Sequence, residues 1–341
     1  MNTEKKRMSQ ALKVICNKKL KISIPNNLIS YLEKFNFETP NLNPYIDDIN
    51  EDDLKLRNNI ISNNRFISNE IKDSISQLNS IIKYKNKQHE IFIFGNSIDK
   101  QVLNNIISIL NLFDSITNNN NYYKIYIFLT NNKKDLDNTT DTIGPNSINS
   151  GSTIPNDNIT LWRKEELYKV LIHELIHYLQ LDIYELNNDL KIIYNNINLI
   201  GNTNPNEAYT EFLALIYFTY WKFYISNTNL GLKKFMSNRL TIEYGWSLLQ
   251  VAKIINYFSC SNYQDLFNQK CTFKQNTNVI SYFLLKTYFL FNFQYMIENI
   301  ENISLNTLIQ SIDLTNDTFT NLINYCLSLT FSSSMRMSAL D

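Results

Sequence analysis

The sequence predicts an α+β protein, with a small sheet and a histidine-bearing helix followed by a mainly α-helical half. Three observations predict it. Residues 90–95 and 122–130 are apolar runs rich in β-branched and aromatic side chains, the composition of strands. Residues 164–181 form an apolar helical stretch that carries two of the three histidines in the chain. Beyond residue 202 the apolar residues recur with helical spacing, and no convincing strand follows.

Residues 1–88 read as mostly helical and polar, broken at Pro25, Pro40 and Pro44. Residues 90–95 then give a short strand closed by Gly95. Residues 101–113 show helical periodicity through Val102, Ile106, Ile109, Leu110 and Phe113. Residues 122–130 are the best strand of the chain. Residues 131–158, with Gly144, Pro145, Gly151 and Pro155, read as a polar loop, and residues 159–163 as a further strand. A helix is expected from Lys164 to about Leu181, with Glu165 and Glu166 in its first turn, where carboxylates meet the positive end of the dipole. Another starts near Pro205 and continues through Trp221. Residues 246–258, 279–297 and 305–312 complete the helical half. The implied divisions are a helical region 1–88, an α+β subdomain 89–201 and a helical subdomain 202–341.

Composition narrows the function. Across 341 residues, 32 Lys and Arg balance 32 Asp and Glu. That balance leaves no cationic excess for phosphate backbones, so nucleic acid is not an expected partner. Residues 212–226 and 279–297 are apolar, but the first is short and broken by Lys222, and the second contains Lys286, Asn292 and Gln294. Both read as buried helices rather than membrane spans. Lys13, Lys18, Lys19 and Lys21 interrupt any apolar run behind the basic start, so no signal peptide is expected. Cys16, Cys260, Cys271 and Cys326 lack short paired spacing and read as buried free thiols of a reducing, intracellular compartment. The 53 Asn and 45 Ile far exceed ordinary usage of roughly 4–6% each, which reads as the imprint of an AT-rich genome. Runs such as Asn118 to Asn121 and Asn195-Asn196 read as exposed loops.

The informative segment is Val170-Leu171-Ile172-His173-Glu174-Leu175-Ile176-His177, an HExxH pattern inside an apolar helix. His173 and His177, four residues apart, project from one face and can bind one Zn²⁺ together. Glu174 sits about 100° around the helix, within reach of water beside them. With only 3 His in the chain, chance occurrence is on the order of 0.001. A catalytic zinc needs a third protein ligand, and no histidine follows His177, so a carboxylate must supply it. Glu207 and Glu211 stand four apart on an otherwise apolar helix, where carboxylates are costly unless a cation receives them.

HELIH followed by NEAYTEFLALIY resembles the gluzincin metallopeptidases, in particular the thermolysin-like branch, with HExxH on one helix and NEAxxD on the next. The resemblance covers roughly residues 158–222. It implies a zincin-like catalytic domain, His173, His177 and Glu207 as zinc ligands, Glu174 as catalytic base, and Glu211 behind the first zinc histidine, fixing its tautomer. Three departures stand out. Glu211 replaces the Asp of the pattern. The interval from His177 to Glu207 is 30 positions, longer than in the thermolysin-like pattern, so residues 181–201 must form an inserted element. The late His or Tyr that binds the oxyanion has no His counterpart, which leaves Tyr244 or Tyr282 as candidates among 21 Tyr. The runs at 126–130 and 159–166 leading into the zinc helix also look like uncharacterised HExxH proteins of large DNA viruses, which implies a viral origin, and the expected location is intracellular (cytoplasmic) or virion-associated.

The expected function is therefore zinc-dependent hydrolysis of a peptide or protein substrate, with residues 159–163 as the sheet edge that holds an extended peptide. A catalytically silent zincin-fold component of a virion and a zinc-free helical interaction protein are the competing readings.

Overall fold

The structure is a computed structural model, and it describes residues 3–137, 139–182, 197–201, 203–298, 312–329 and 331–340. The expected α+β character holds: a six-stranded sheet accompanies extensive helix. The chain divides into two compact units, one formed by Glu33–Lys134 and Pro145–Leu181, the other by Met1–Leu32, Asp135–Gly144 and Asp182–Asp341.

The first unit holds the six-stranded sheet. Its strands are β1 (Asp47–Asp48), β2 (Ser80–Lys85), β3 (His89–Gly95), β4 (Tyr123–Phe128), β5 (Gly151–Ile154) and β6 (Asn158–Leu161), in spatial order β1-β2-β3-β4-β6-β5. β3, β4 and β6 run parallel, while β1, β2 and β5 pair antiparallel. The parallel centre explains the unbroken apolar runs of the sequence, because a strand covered on both faces needs no polar alternation. On one face Phe94, Tyr126, Phe128 and Trp162 meet Ile67, Ile71 and Ile75, at and within α4 (Asn69–Ser76), with Leu56 and Ile60 of α3 (Glu51–Asn63) packed alongside. Phe92 stacks on Tyr126 at 5.5 Å and Phe94 on Phe128 at 5.0 Å. The alternate residues Ile91, Ile93, Ile125 and Ile127, all fully buried, project to the other face. α5 (Gln101–Thr117) packs against α7 (Leu167–Tyr178), and α7 lies against β5 and β6. Asn118 ends α5 in the left-handed region at φ 50°, in the Asn-rich loop expected there.

Two features correct the sequence reading of this unit. Residues 131–158 are not simply loop: α6 (Pro145–Ile148) and the strand β5 lie within them. β2 was not announced either, because Lys83 and Lys85 break its apolar run.

The second unit is helical. Besides α1 (Thr3–Lys18) and α2 (Asn26–Leu32) it contains α8 (Asn206–Ile225), α9 (Leu232–Tyr257), a π-helical turn (Ile280–Leu285) continuing into α10 (Lys286–Phe291), α11 (Phe293–Glu298) and α12 (Asp317–Leu327). A short parallel pair joins β7 (Leu199–Ile200) to β8 (Phe273–Lys274). α9 is its hub and packs against α1, α8 and α12. Gly245 permits the approach of α1, since a Cβ there would lie 2.9 Å from the Ala11 carbonyl oxygen. The buried Glu243 carboxylate accepts hydrogen bonds from the Ser338 hydroxyl at 2.7 Å and from the Ala339 and Leu340 amides at 2.9 and 3.0 Å, pinning the terminal segment. The two apolar stretches that could suggest membrane spans are buried core helices, and no helix among the described residues is long and apolar enough to cross a membrane.

The cysteine expectation needs correction. Cys260 and Cys271 form a disulfide, Cys16 is exposed, and only Cys326 is a buried free thiol. The two partners are 11 residues apart, with Cα atoms 5.5 Å apart, because the 3₁₀ turn Tyr263–Leu266 folds the chain back between α9 and β8. No short motif marks such a pairing. The inserted element expected over residues 181–201 and the helix expected at 305–312 fall largely outside the described residues.

Candidate metal centre

α7 begins three residues later than the sequence suggests, at Leu167. Glu166 is its N-cap residue, held in the left-handed region at φ 59°. Its carboxylate reaches back to Lys134, with Nζ and Oε2 2.9 Å apart and both side chains fully buried. The Glu165 carboxylate accepts from the Lys134 amide at 2.7 Å. These acids therefore do not lie in the helical first turn; they tie the helix start to the chain leaving β4. Burial pulls the Lys134 ammonium below the usual lysine range, and Glu166 opposes that pull. At the other end Gln180 adopts φ 55° and the Leu181 amide donates to the Ile176 carbonyl at 2.9 Å, a left-handed stop just past His177. α7 is thus clamped at both ends.

Between the clamps, His173 and Glu174 are buried and His177 is half-buried. The two Nε2 atoms stand 3.1 Å apart, with the rings edge-on at 79°. His173, His177 and Glu207 each offer one ligand atom, and these three atoms lie within 4.8 Å of one another. The spacing suits zinc: two imidazole nitrogens on a tetrahedral ion at about 2.05 Å would stand about 3.3 Å apart. Two imidazoles and one carboxylate also make a donor set of the right chemistry, leaving one position of a tetrahedron.

Glu207 lies in the first turn of α8, which Pro205 opens at φ −61°. The buried Asp182 carboxylate accepts the Thr210 hydroxyl at 2.7 Å and the Asn206 amide at 3.4 Å, and so anchors the turn that presents Glu207. Glu211, one turn further, is 1% exposed and is not in the ligand group. Tyr244 is buried in α9, where burial and the Cys326 thiol push its hydroxyl well above the usual tyrosine range. Tyr282 is buried in the π-helical turn, which packs on α8.

Sequence reasoning missed what holds Glu174. The Thr153 hydroxyl donates to Glu174 Oε2 at 2.7 Å. Gly151 makes room for the same side chain: a Cβ there would lie 2.5 Å from Glu174 Oε1. Both residues belong to β5, whose Gly-Ser-Thr-Ile sequence carries no strand signal strong enough to override its Gly and Pro neighbours. β5 also replaces residues 159–163 as the sheet edge. β6 is covered on both sides, by β4 and β5, whereas β5 ends the sheet among the described residues.

Comparison with known proteins adds one relative. The chain is 28% identical over 186 residues to an uncharacterised protein of Acanthamoeba polyphaga mimivirus. The match spans 50% of this chain and 47% of that protein, so the chain covers about half the length of its relative. No family model and no solved structure matches. The similarity agrees with the viral resemblance of the sequence and names no activity.

Proposed function

We propose that the chain is a zinc-dependent peptidase of gluzincin type. The observation that carries the reading is that His173 and His177 of α7 and Glu207 of α8 each offer one ligand atom within 4.8 Å of the others, while Glu174, also on α7, accepts a hydrogen bond from Thr153. His173, His177 and Glu207 would hold the ion. When bound, zinc supplies a Lewis acid that acidifies water and polarises a carbonyl.

The protein's own residues do the rest. Thr153 fixes one carboxylate oxygen of Glu174 and so holds the carboxylate in one orientation. Glu174 takes the proton of that water and hands it to the leaving amine, as a general base and then a general acid. Its low exposure, 7%, shields the carboxylate from most of the bulk solvent. The edge strand β5 lies beside this carboxylate and can pair with an extended peptide through its outward backbone groups. Glu211, in the same helix as Glu207, is assigned to orienting a zinc histidine.

Metal analysis and a peptide-library assay test the reading. Purified protein is expected to carry about one zinc per chain, and His173→Ala to carry little. Glu174→Gln should keep the zinc and abolish turnover. Zinc without any turnover across a broad library leaves a silent zinc protein in its place.

A further inference from the structure

The face of β5 turned away from Glu174 borders a cavity of about 410 Å³. Gly151 and Thr153 face the Glu174 side, so by strand alternation Ser152 and Ile154 face the other way, towards α3. The Asn64 amide donating to the Ser152 hydroxyl at 2.7 Å confirms that orientation. Ile60, Phe66, Tyr126 and Ile154 give the cavity apolar walls. Phe66 and Ile154 are 41% and 57% exposed and lie together in this lining, so they form one accessible apolar patch. Arg65 and Lys124 stand in the same lining, the first 5.0 Å from the Phe66 ring centre and the second 5.8 Å from that of Tyr126. Against them stands one acid, Asp157.

An extended peptide paired to β5 must also alternate. Residues that face Glu174 are flanked by residues that face the cavity. Resting on the peptidase reading above, we infer that this cavity is a specificity pocket for the substrate. It receives a bulky apolar side chain of the bound peptide, next to the residue presented to Glu174, and its cationic rim rejects Lys and Arg at that position. The occupant follows from the site: strand pairing supplies an extended backbone, the walls supply apolar contact, and the rim charge excludes a cation.

The test uses the full chain and labelled peptides, drawn from the best-bound library sequence, that differ at one position (Ala, Leu, Phe, Lys or Glu). Affinity is measured on zinc-loaded Glu174→Gln, and kcat/KM on wild type. Leu and Phe peptides are expected to bind about tenfold more tightly than Ala, and Lys to bind worst. Phe66→Ala and Ile154→Ser should each erase the Leu and Phe advantage while leaving zinc content unchanged. Wild-type cleavage with no selectivity at any position, or with selectivity unmoved by both substitutions, overturns the pocket while the peptidase reading stands. Absence of any peptide binding also overturns it. Apolar-selective binding by protein that lacks zinc would sustain the pocket and remove the peptidase.

Discussion

On the proposed peptidase reading, Gly151→Ala separates catalysis from folding. The added methyl would sit 2.5 Å from Glu174 Oε1, 2.8 Å from Cγ and 2.9 Å from Cδ. Carbon contacts are comfortable at about 3.5–4.0 Å, so the Glu174 side chain must withdraw by roughly 1 Å. That withdrawal stretches the 2.7 Å bond from Thr153 past hydrogen-bond range. A hydrogen bond to a charged group contributes about 1.5–3 kcal/mol, but much of it returns as Glu174 finds water or another rotamer. Because the yielding group is the end of a flexible side chain, the net stability loss should be about 1 kcal/mol. Misplacing a catalytic group by about 1 Å costs on the order of 100-fold in rate. The expected outcome is therefore a kcat on peptide substrate about 100-fold below wild type, one zinc still bound, and a slightly lower urea midpoint. A variant with wild-type kcat would refute the argument that Gly151 clears space for the base.

Three further outcomes follow from the described residues. Lys134→Met leaves the Glu166 carboxylate buried without its 2.9 Å partner; with Lys169 and Arg163 still close by, the expected loss is about 3 kcal/mol, read from denaturant unfolding. Cys260→Ser opens the 11-residue loop to Cys271 and should cost about 3 kcal/mol on the chain-entropy account, whereas a reductant that leaves the midpoint of wild type unmoved would show that the loop is held by other contacts. His89 is buried, and burial lowers its pKa despite the nearby Asp114. The unfolded chain therefore takes up a proton below about pH 6.5 that the folded chain refuses, so this contribution is whole above that pH and fades as the pH falls, by up to about 1.4 kcal/mol per unit. His89→Gln should flatten the wild-type difference in unfolding free energy between pH 7 and pH 5.

How far the sequence was legible depends on the range of the interactions. The pairing of His173 and His177 could be read because four residues is about one helical turn, and β3 and β4 because a doubly covered strand is apolar throughout. The start of α7 was misplaced because Glu166 answers to Lys134, 32 residues earlier, rather than to the helix dipole. β5 escaped notice because its value lies in what it touches: a glycine and a threonine serve Glu174 from 23 and 21 residues away. The disulfide was missed for the same reason, since nothing between Cys260 and Cys271 announces a turn that returns one to the other.

The ordering of the helical unit along the chain carries a consequence for synthesis. Its first segment ends at Leu32, yet α1 packs on α9, and the Ile22 amide donates to the Thr241 hydroxyl across 219 residues. At about 5–20 residues per second, a ribosome needs roughly 10–40 s to make that partner. Through that interval Ala11 and Val14, wholly covered in the finished protein, face the cell without a companion. The sheet unit is complete by Leu181 and can fold in the meantime. Nascent chains should therefore need shielding at α1 until α9 has been made.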